Sequence, residues 1–491
     1  MLIFFYTNRT IRNMNIIRTD NGYCYYIDEF YGKIMLINPV IYNKFKGIKD
    51  SNIDSYYDSK ISFLKEHNFF SSDKEEVSFN RLSGCDIEES FNNSPQLIFE
   101  VTDRCNLSCE YCGYGKYYNN YDPRKNINMD FNIFRNTILF MEEKWKVQSV
   151  NSKKNIRISF YGGEPLLNFK FIKEAVTLIK NLNVNKEFSF SMTTNAIYLR
   201  KYIDFLAENK FDILVSIDGD RYEDSYRNFP NGNPSFNIVA NNILYVREKY
   251  PKYYANHIRF NSVLHNRNSV ETVSSYIYNT FGKYPMTNEL NIFGVRTELQ
   301  KEFDKMFLSK VESYEKINSQ KLAENLRCSS PKSIEYAKYL NSFNIKQFNK
   351  PLSCFFSPES SVKRDTRVLP TGTCLPFSKK IFISVTGKIY PCERIGNEIN
   401  FGSVTRNGIN INYSSIAKIY NSLMDLYEPN CKKCNRKKNC PVCIASDIEG
   451  YKFCHNRYSK KYKENFLKSL ISYYEKFPYE YETMLNGIIL K

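Results

Sequence analysis

Residues 96–112 read QLIFEVTDRCNLSCEYC, an apolar run that leads straight into three cysteines. The run 96–102 has the length and the aromatic and branched content of a strand. Working outward toward the C-terminus, further strands are predicted at IRISFY (156–161), EFSFSMT (187–193), ILVSI (213–217), HIRFNSVL (257–264) and LNIFGV (290–295). Helical stretches at 130–147, 168–182, 198–209, 234–249 and 268–281 separate most of them. Six β/α units in series predict an α/β fold with a parallel sheet, open or closed into part of a barrel. Chemistry in such folds gathers at the C-terminal ends of strands. The cysteines of 105–112 fall at such an end.

Toward the N-terminus the pattern is different. Residues 1–94 hold short β-like runs at LIFFYT (2–7), YCYYIDEF (23–30) and KIMLINP (33–39). Helical patterns follow near 40–47 and 55–70, which predicts a small α+β, winged-helix-like unit. Residues 78–94 are mostly polar and read as a linker. The strand–helix core is expected over 95–310, a charged helical connector over 311–350, and a closing helix within 456–491. Residues 351–455 hold eight of the fourteen cysteines, so a metal-organised region is expected there.

Composition sets outer limits. The chain has 491 residues, 42% hydrophobic and 25% charged, with 19 Gly and 17 Pro. Those values exclude disordered and collagen-like classes. No apolar run approaches the ~20 residues of a membrane-spanning helix, and the N-terminus lacks a secretory h-region and cleavage site. A cytoplasmic protein is expected, where thiols stay reduced and fourteen cysteines point away from a disulfide framework. The net charge of +17 fits an acidic partner. A coding bias toward Lys, Asn, Ile and Tyr produces the same excess.

Cys105, Cys109 and Cys112 are spaced x3 and x2. Three thiolates on one loop can hold three irons of a 4Fe–4S cluster and leave the fourth iron open to a cosubstrate; a partial zinc site is the alternative. The other strand ends carry Tyr161-Gly-Gly-Glu164-Pro165, Thr193-Thr-Asn195 and Ser216-Ile-Asp218-Gly219, with Arg227 eleven residues after Ser216. Together these resemble the radical S-adenosylmethionine (SAM) superfamily, with Ala196 where its TNG motif has glycine. The resemblance implies a partial (β/α)6 TIM-like barrel and a cluster held by Cys105, Cys109 and Cys112. It implies SAM contacts at Tyr111 (adenine), Gly162, Gly163, Glu164 (the ammonium), Asn195, Ser216 and Arg227 (the carboxylate). In that family an electron from the cluster cleaves SAM to a 5′-deoxyadenosyl radical, which abstracts hydrogen from substrate.

The C-terminal third reads Cys374-x12-Gly387-x4-Cys392, then Cys431-x2-Cys434-x5-Cys440-x2-Cys443-x10-Cys454. This resembles the seven-cysteine SPASM extension of radical SAM peptide and protein maturases, with x2 in place of the frequent x3 between Cys440 and Cys443. The resemblance implies two auxiliary 4Fe–4S clusters. Cys374, Cys392 and Cys443, with Cys354 as a further ligand candidate, would hold one; Cys431, Cys434, Cys440 and Cys454 would hold the other. Taken alone, CKKCNRKKNCPVC (431–443) also reads as a zinc ribbon that touches nucleic acid. Glu393 sits where related sulfatase maturases keep an acidic base, so it is a candidate proton acceptor.

Finer stretches resemble the Bacteroidales-type peptide maturases, whose precursors carry a Gly-Gly motif. They are FEVTDRCNLSCEYCGYGKYY, ISFYGGEPLLN, FSMTTNA, FNSVLHNRNSV and CLPFSKKIFISVTGKIYPCERIG. The resemblance implies an enzyme that closes a C–C, C–O or thioether crosslink in a ribosomally made precursor. The N-terminal unit would bind the leader, and a reduced ferredoxin- or flavodoxin-like protein would donate electrons; neither nucleic acid nor membrane is expected as a partner. The alternatives are formylglycine formation of the anaerobic sulfatase-maturase type, peptide epimerisation, and a non-enzymatic zinc protein.

Overall fold

The computed structural model describes residues 15–28, 33–48, 55–67, 69–70, 81–147, 155–345, 373–397, 399, 401–434, 440, 442–445 and 460–481. The run expected as a strand at 2–7, and both Cys354 and Cys454, lie outside the described residues.

The N-terminal unit starts with a strand that sequence patterning missed, β1 (Asn15–Arg18). β2 (Cys24–Asp28) and β3 (Lys33–Ile37) complete an antiparallel sheet in the order β1-β2-β3. Helices α1 (Pro39–Lys46) and α2 (Ser55–Glu66) follow. Strand alternation gives the sheet two buried faces. Ile16, Tyr26 and Ile37 pack with Ile41 and Ile61 on one side. Ile17 and Ile27 pack on the other.

The segment expected as a linker is instead helical. α3 (Gly84–Asn92) opens on a capping box in which Ser83 and Asp86 exchange bonds between side chain and backbone. Ile87 and Phe91, one helical turn apart, are 0% and 1% exposed. Two well-spaced apolar residues on a short polar helix are enough to bury one face.

The central sheet holds six parallel strands in sequence order: β4 (Gln96–Thr102), β5 (Asn155–Gly162), β6 (Glu187–Thr194), β7 (Asp212–Ser216), β8 (Ile258–Val263) and β9 (Met286–Asn288). Helices α4 (Phe131–Val147), α5 (Phe169–Lys180), α6 (Leu199–Glu208), α7 (Phe236–Lys249), α8 (Pro251–His257) and α9 (Val270–Phe281) lie in the connections. The sixth strand is not the expected 290–295. That stretch is irregular, and Val295 makes only an isolated bridge to Tyr118. It leaves the sheet to pack on the cysteine loop through Leu290 and Val295, which is why it is apolar.

Helices α10 (Gln300–Met306), α11 (Lys310–Glu315), α12 (Gln320–Leu326) and α13 (Pro331–Ile345) follow. The chain then returns to the sheet. β10 (Ile381–Ile383) adds parallel to β4, and β11 (Ile389–Tyr390) adds antiparallel to β10. A small hairpin, β12 (Ser403–Thr405) and β13 (Gly408–Asn410), leads into α14 (Tyr413–Lys433). The closing helix α15 (Lys460–Lys476) lies against the N-terminal unit, with Leu467, Leu470 and Ile471 packed on Ile17 and Ile27 beside Tyr336 and Tyr339 of α13. No helix among the described residues is long and apolar enough to cross a membrane.

The N-terminal sheet therefore depends on a helix from the far end of the sequence. Leu470→Ala removes a side chain that is 0% exposed. It should cost about 2–5 kcal/mol. In calorimetry the loss should appear as a lower-temperature transition of the N-terminal unit, with the transition of the central sheet unmoved.

Candidate active site

The cysteine loop is built on the end of β4. Its base is pinched shut by Asp103, whose carboxylate accepts from the backbone of Lys125 (2.5 Å) and Ile127 (2.7 Å). Thr102 Oγ1 donates to Ile127 O at 2.9 Å. The far side is tied to the loop after β7: Ser108 N donates to Asn228 O (2.7 Å) and Glu110 N to Tyr226 O (3.0 Å). Successive turns, Cys112 N to Cys109 O and Gly115 N to Cys112 O, then fix the last two cysteines. None of the three is in a disulfide.

Gly162 and Gly163 explain why this loop can sit where it does. A Cβ on Gly162 would lie 2.1 Å from Thr102 O, and one on Gly163 would lie 2.1 Å from Arg104 O. Without those carbons, Gly163 N donates to Thr102 O (2.9 Å) and Glu164 N to Arg104 O (2.8 Å). In the described structure the glycines thus bring two protein segments together. Glu164 also acts inward. It is 1% exposed, and its carboxylate accepts from Leu166 N (3.1 Å), Thr194 Oγ1 (2.7 Å) and Asn195 N (2.8 Å). Burial raises its pKa while these donors oppose the rise. One carboxylate has about four acceptor sites, so three are filled from this chain.

Asn195 is held by Glu164, and its Nδ2 donates to Asn106 Oδ1 at 2.7 Å within the cysteine loop. The following Ala196 has φ +61°, in the left-handed region that suits glycine. Asn242 Nδ2 bonds to Ala196 O and Ile197 O, both at 2.9 Å, and holds that turn.

Ser216 ends β7 and is half-buried. Beyond it, Tyr111 and Arg227 come together rather than apart. Arg227 Nη1 donates to the Tyr111 hydroxyl at 2.9 Å, and that hydroxyl donates to Asp218. Asp224 lies 3.7 Å from Arg227 Nε. The Tyr111 ring lies at 28° to His265, centroids 5.9 Å apart. Burial pushes the His265 imidazole down to about 4, so the ring is neutral at ordinary pH.

The C-terminal cysteines approach the same region. Cys392, Cys440 and Cys443 pack, half-buried, on the core cluster that contains Tyr420, and Cys374 is exposed. Cys431 is buried on α14, and Cys434 caps that helix through its N–H to Cys431 O. Glu393, beside Cys392, pairs with Lys380 through both oxygens, at 3.0 and 3.1 Å. Arg394, the sequence neighbour, is farther at 3.9 Å and 78% exposed. Lys380 and Glu393 line a cavity of about 300 Å³ with Gln96, Tyr161, Ser191 and Leu214, on one face of the parallel sheet. Tyr161 meets Phe382 of β10 edge-on, centroids 6.2 Å apart, and burial, then Glu393 and Cys112, raise its pKa. Tyr121 is pushed up to about 12 by burial, then by Cys392 and Glu393.

Glu100, Lys380 and Arg124 escaped sequence reasoning, and Asp218 stood there only as part of the Ser216-Ile-Asp218-Gly219 motif. Glu100 accepts from Tyr114 (2.7 Å) and from Val385 N (2.8 Å) inside the sheet. Lys380 holds Glu393, Asp218 holds Tyr111, and Arg124 Nη2 donates to Cys112 Sγ at 3.3 Å. Of the first three, only Glu100 left a signal, as a lone acid in an otherwise apolar strand.

The donor set fits an iron–sulfur group. Cys105, Cys109 and Cys112 lie on one loop, and a cluster gives each thiolate its own iron. The loop also carries buried donors without a protein acceptor, Asn106 Nδ2 and Arg124 Nε. Cluster sulfurs are acceptors for such groups. Burial pushes the Cys109 thiol up to about 12, with Arg227 pulling the other way. Binding iron would therefore release a proton there.

Residues 99–271 match the model of the Radical SAM superfamily. The chain is 30% identical over 151 residues to the cysteine-type anaerobic sulfatase-maturating enzyme of Clostridium novyi, covering 30% of this chain and 38% of that protein. It is 24% identical over 275 residues to the radical SAM cyclopropyl synthase TigE of Paramaledivibacter caminithermalis, covering 54% of this chain and 55% of that protein. The chain thus spans about half the length of these curated relatives, or less. A solved structure, histidine-tagged anSMEcpe with bound AdoMet, shares the fold at a TM-score of 0.52 and 17% identity, over 80% of this chain and 97% of that one. The chain carries a radical SAM domain, and the matches support a radical SAM enzyme with SAM and iron–sulfur chemistry.

Gly163→Ala tests the cradle. The added carbon meets backbone, which cannot swing away. The variant should lose about 1–3 kcal/mol. It should also retain less iron in the cysteine loop after anaerobic reconstitution, measured as iron and sulfide per chain.

Proposed function

We propose that this chain is a cytoplasmic peptide maturase of the Bacteroidales type, which closes an oxidative C–C, C–O or thioether crosslink in a ribosomally made precursor. The observation that carries the reading is the cavity on one face of the parallel sheet, with Glu393 in its wall. Glu393, fixed by Lys380, faces the same sheet whose strand ends hold the three-thiol loop. Tyr161, near the end of β5, lines the same cavity. The sulfatase-maturase and TigE relatives support a radical SAM enzyme. The TigE match extends over more of this chain.

Cys105, Cys109 and Cys112 would hold the first cluster. Cys374, Cys392 and Cys443 with Cys354, and Cys431, Cys434, Cys440 and Cys454, would hold two auxiliary ones. When bound, these groups with SAM would supply a 5′-deoxyadenosyl radical that takes a hydrogen atom, and a one-electron acceptor, with a ferredoxin- or flavodoxin-like protein as reductant. The remaining duties fall to this chain. Tyr111, Gly162, Gly163, Glu164, Asn195, Ser216 and Arg227 form the SAM cradle. In it Arg227 would exchange part of its Asp224 pairing for a ligand carboxylate. Glu393 accepts the proton lost as the new bond forms, while Lys380 holds its carboxylate toward the cavity. The sheet excludes water from a reactive carbon. One hydrogen atom, one proton and one electron leave the peptide, a net two-electron oxidation.

The leader would add as a strand along the edge of β3 that has no partner strand among the described residues. Leu36, on that strand, is 59% exposed, and the opposite edge, β1, is packed by α1 and α15. Leu36→Asp should raise KM for the full precursor about tenfold or more and leave kcat intact. It should leave modification of a leaderless core peptide unchanged.

Anaerobic coexpression with the short peptide encoded beside the gene tests the function itself. The product should be two hydrogens lighter, resist fragmentation between the joined residues, and fail to react with a hydrazide. A hydrazide-reactive product would mean formylglycine instead. Deuterium uptake from D2O with no loss of two hydrogens would mean epimerisation. Glu393→Gln should keep 5′-deoxyadenosine formation and lose the crosslink by about 10²-fold or more.

A further inference from the structure

Arg124 stands apart from every motif, yet it is the charged group nearest a cysteine sulfur of the loop. Its Nη2 lies 3.3 Å from Cys112 Sγ. By contrast, the donors within reach of Cys105 Sγ are neutral: Leu107 N at 3.5 Å and Asn195 Nδ2 at 3.9 Å. Arg124 Nε is buried and has no protein acceptor. The guanidinium lies 5.0 Å from the Tyr114 ring centroid. Tyr114 in turn is fixed by its hydroxyl on Glu100, and Glu100 by Val385 N.

The chain on either side of Arg124 is anchored, through backbone at Lys125 and through a side-chain ion pair at Asp122. Lys125 N bonds to Asp103 at 2.5 Å, and Asp122 pairs with Lys388 Nζ at 2.7 Å. A long side chain held at its base, along its plane and at one nitrogen is preorganised. A surface arginine that met a sulfur by chance would have none of these restraints.

We propose that Arg124 sets the reduction potential of the cluster held by Cys105, Cys109 and Cys112. The inference rests on the proposed reading of those cysteines as cluster ligands. Reduction adds one electron and makes the cluster one charge more negative. A cationic N–H donor on a ligand sulfur stabilises that form more than the oxidised one, so it raises the potential. Arg124 is a positioning and tuning residue; it does not touch the reacting carbon.

The test is an EPR-monitored redox titration of the anaerobically reconstituted full chain, with Arg124→Leu, Arg124→Gln and Arg124→Lys. The signal that changes on adding SAM is followed, because it reports the SAM-binding cluster and not the auxiliary ones. In Arg124→Leu the reduced-to-oxidised ratio at fixed potential should fall about tenfold, about 59 mV for one electron. Arg124→Lys should fall less, since it keeps the charge and loses the fork. Iron and sulfide per chain should stay at the wild-type level. A wild-type midpoint in Arg124→Leu with full iron overturns the proposal. Where Arg124→Leu fails to take up iron, the Gln and Lys variants decide: a lowered midpoint in Gln, and a smaller drop in Lys, supports it; wild-type midpoints in both overturn it. A SAM-sensitive signal that survives replacement of Cys105, Cys109 and Cys112 by alanine would instead sink the underlying reading of the cluster site.

Discussion

Two absent carbon atoms set the geometry at the head of the sheet. At Gly162 and Gly163 the end of β5 lies so close to the chain leaving β4 that a Cβ at either position would penetrate the carbonyl of Thr102 or Arg104. That approach does more than save space. It lets two backbone bonds form between the segments and delivers Glu164 inward to the start of the β6 turn. Asn195 is thereby fixed and reaches back to Asn106 in the cysteine loop. Three strand ends become one unit, and the thiols are carried on a frame rather than on a free loop. This is the kind of support a cluster needs, because misplacement of one ligand strains the others.

Charge inside the molecule follows a second constraint. Glu100, Glu164, Asp218, Asp224 and Arg227 are all buried. Each unpaired charge at such depth would cost several kcal/mol. They are retained in mutually satisfied sets: Glu164 with three donors, and Asp218, Tyr111, Arg227 and Asp224 in sequence. Asp224 Oδ2 is the exception, buried without a partner. The imbalance lies next to Arg227, the residue most able to turn toward a bound anion. A set with one loose end can reorganise at lower cost than a closed one.

The legible part of the fold was the part with strong period. β4 was readable to both boundaries, and the helices alternating with the strands were readable to within a few residues, because each carries an apolar face. The errors came where burial uses few residues. α3 hides its membership of the core in two side chains, Ile87 and Phe91. The apolar run 290–295 looks like a strand, but it packs on the cysteine loop through Leu290 and Val295. At the site, motif residues were visible by type and spacing. Lys380 and Arg124 were not, since an ordinary lysine or arginine gains its meaning only from what the fold brings within about 4 Å.

The net charge of +17 illustrates the same limit from the other side. It is a sum over many solvated lysines, and surface charges are screened within about 8–10 Å in salt. Nothing in that sum distinguishes Lys380, with both nitrogen–carboxylate distances near 3 Å in a half-buried cavity wall, from an exposed residue such as Lys170. Around the site, charges are set individually: Lys380 against Glu393, Arg227 against Asp224, and Arg124 against a cysteine sulfur. What a redox site needs is a cation at a chosen sulfur and a base at a chosen wall. Excess charge elsewhere contributes to solubility and encounter, and it leaves both of those positions untouched.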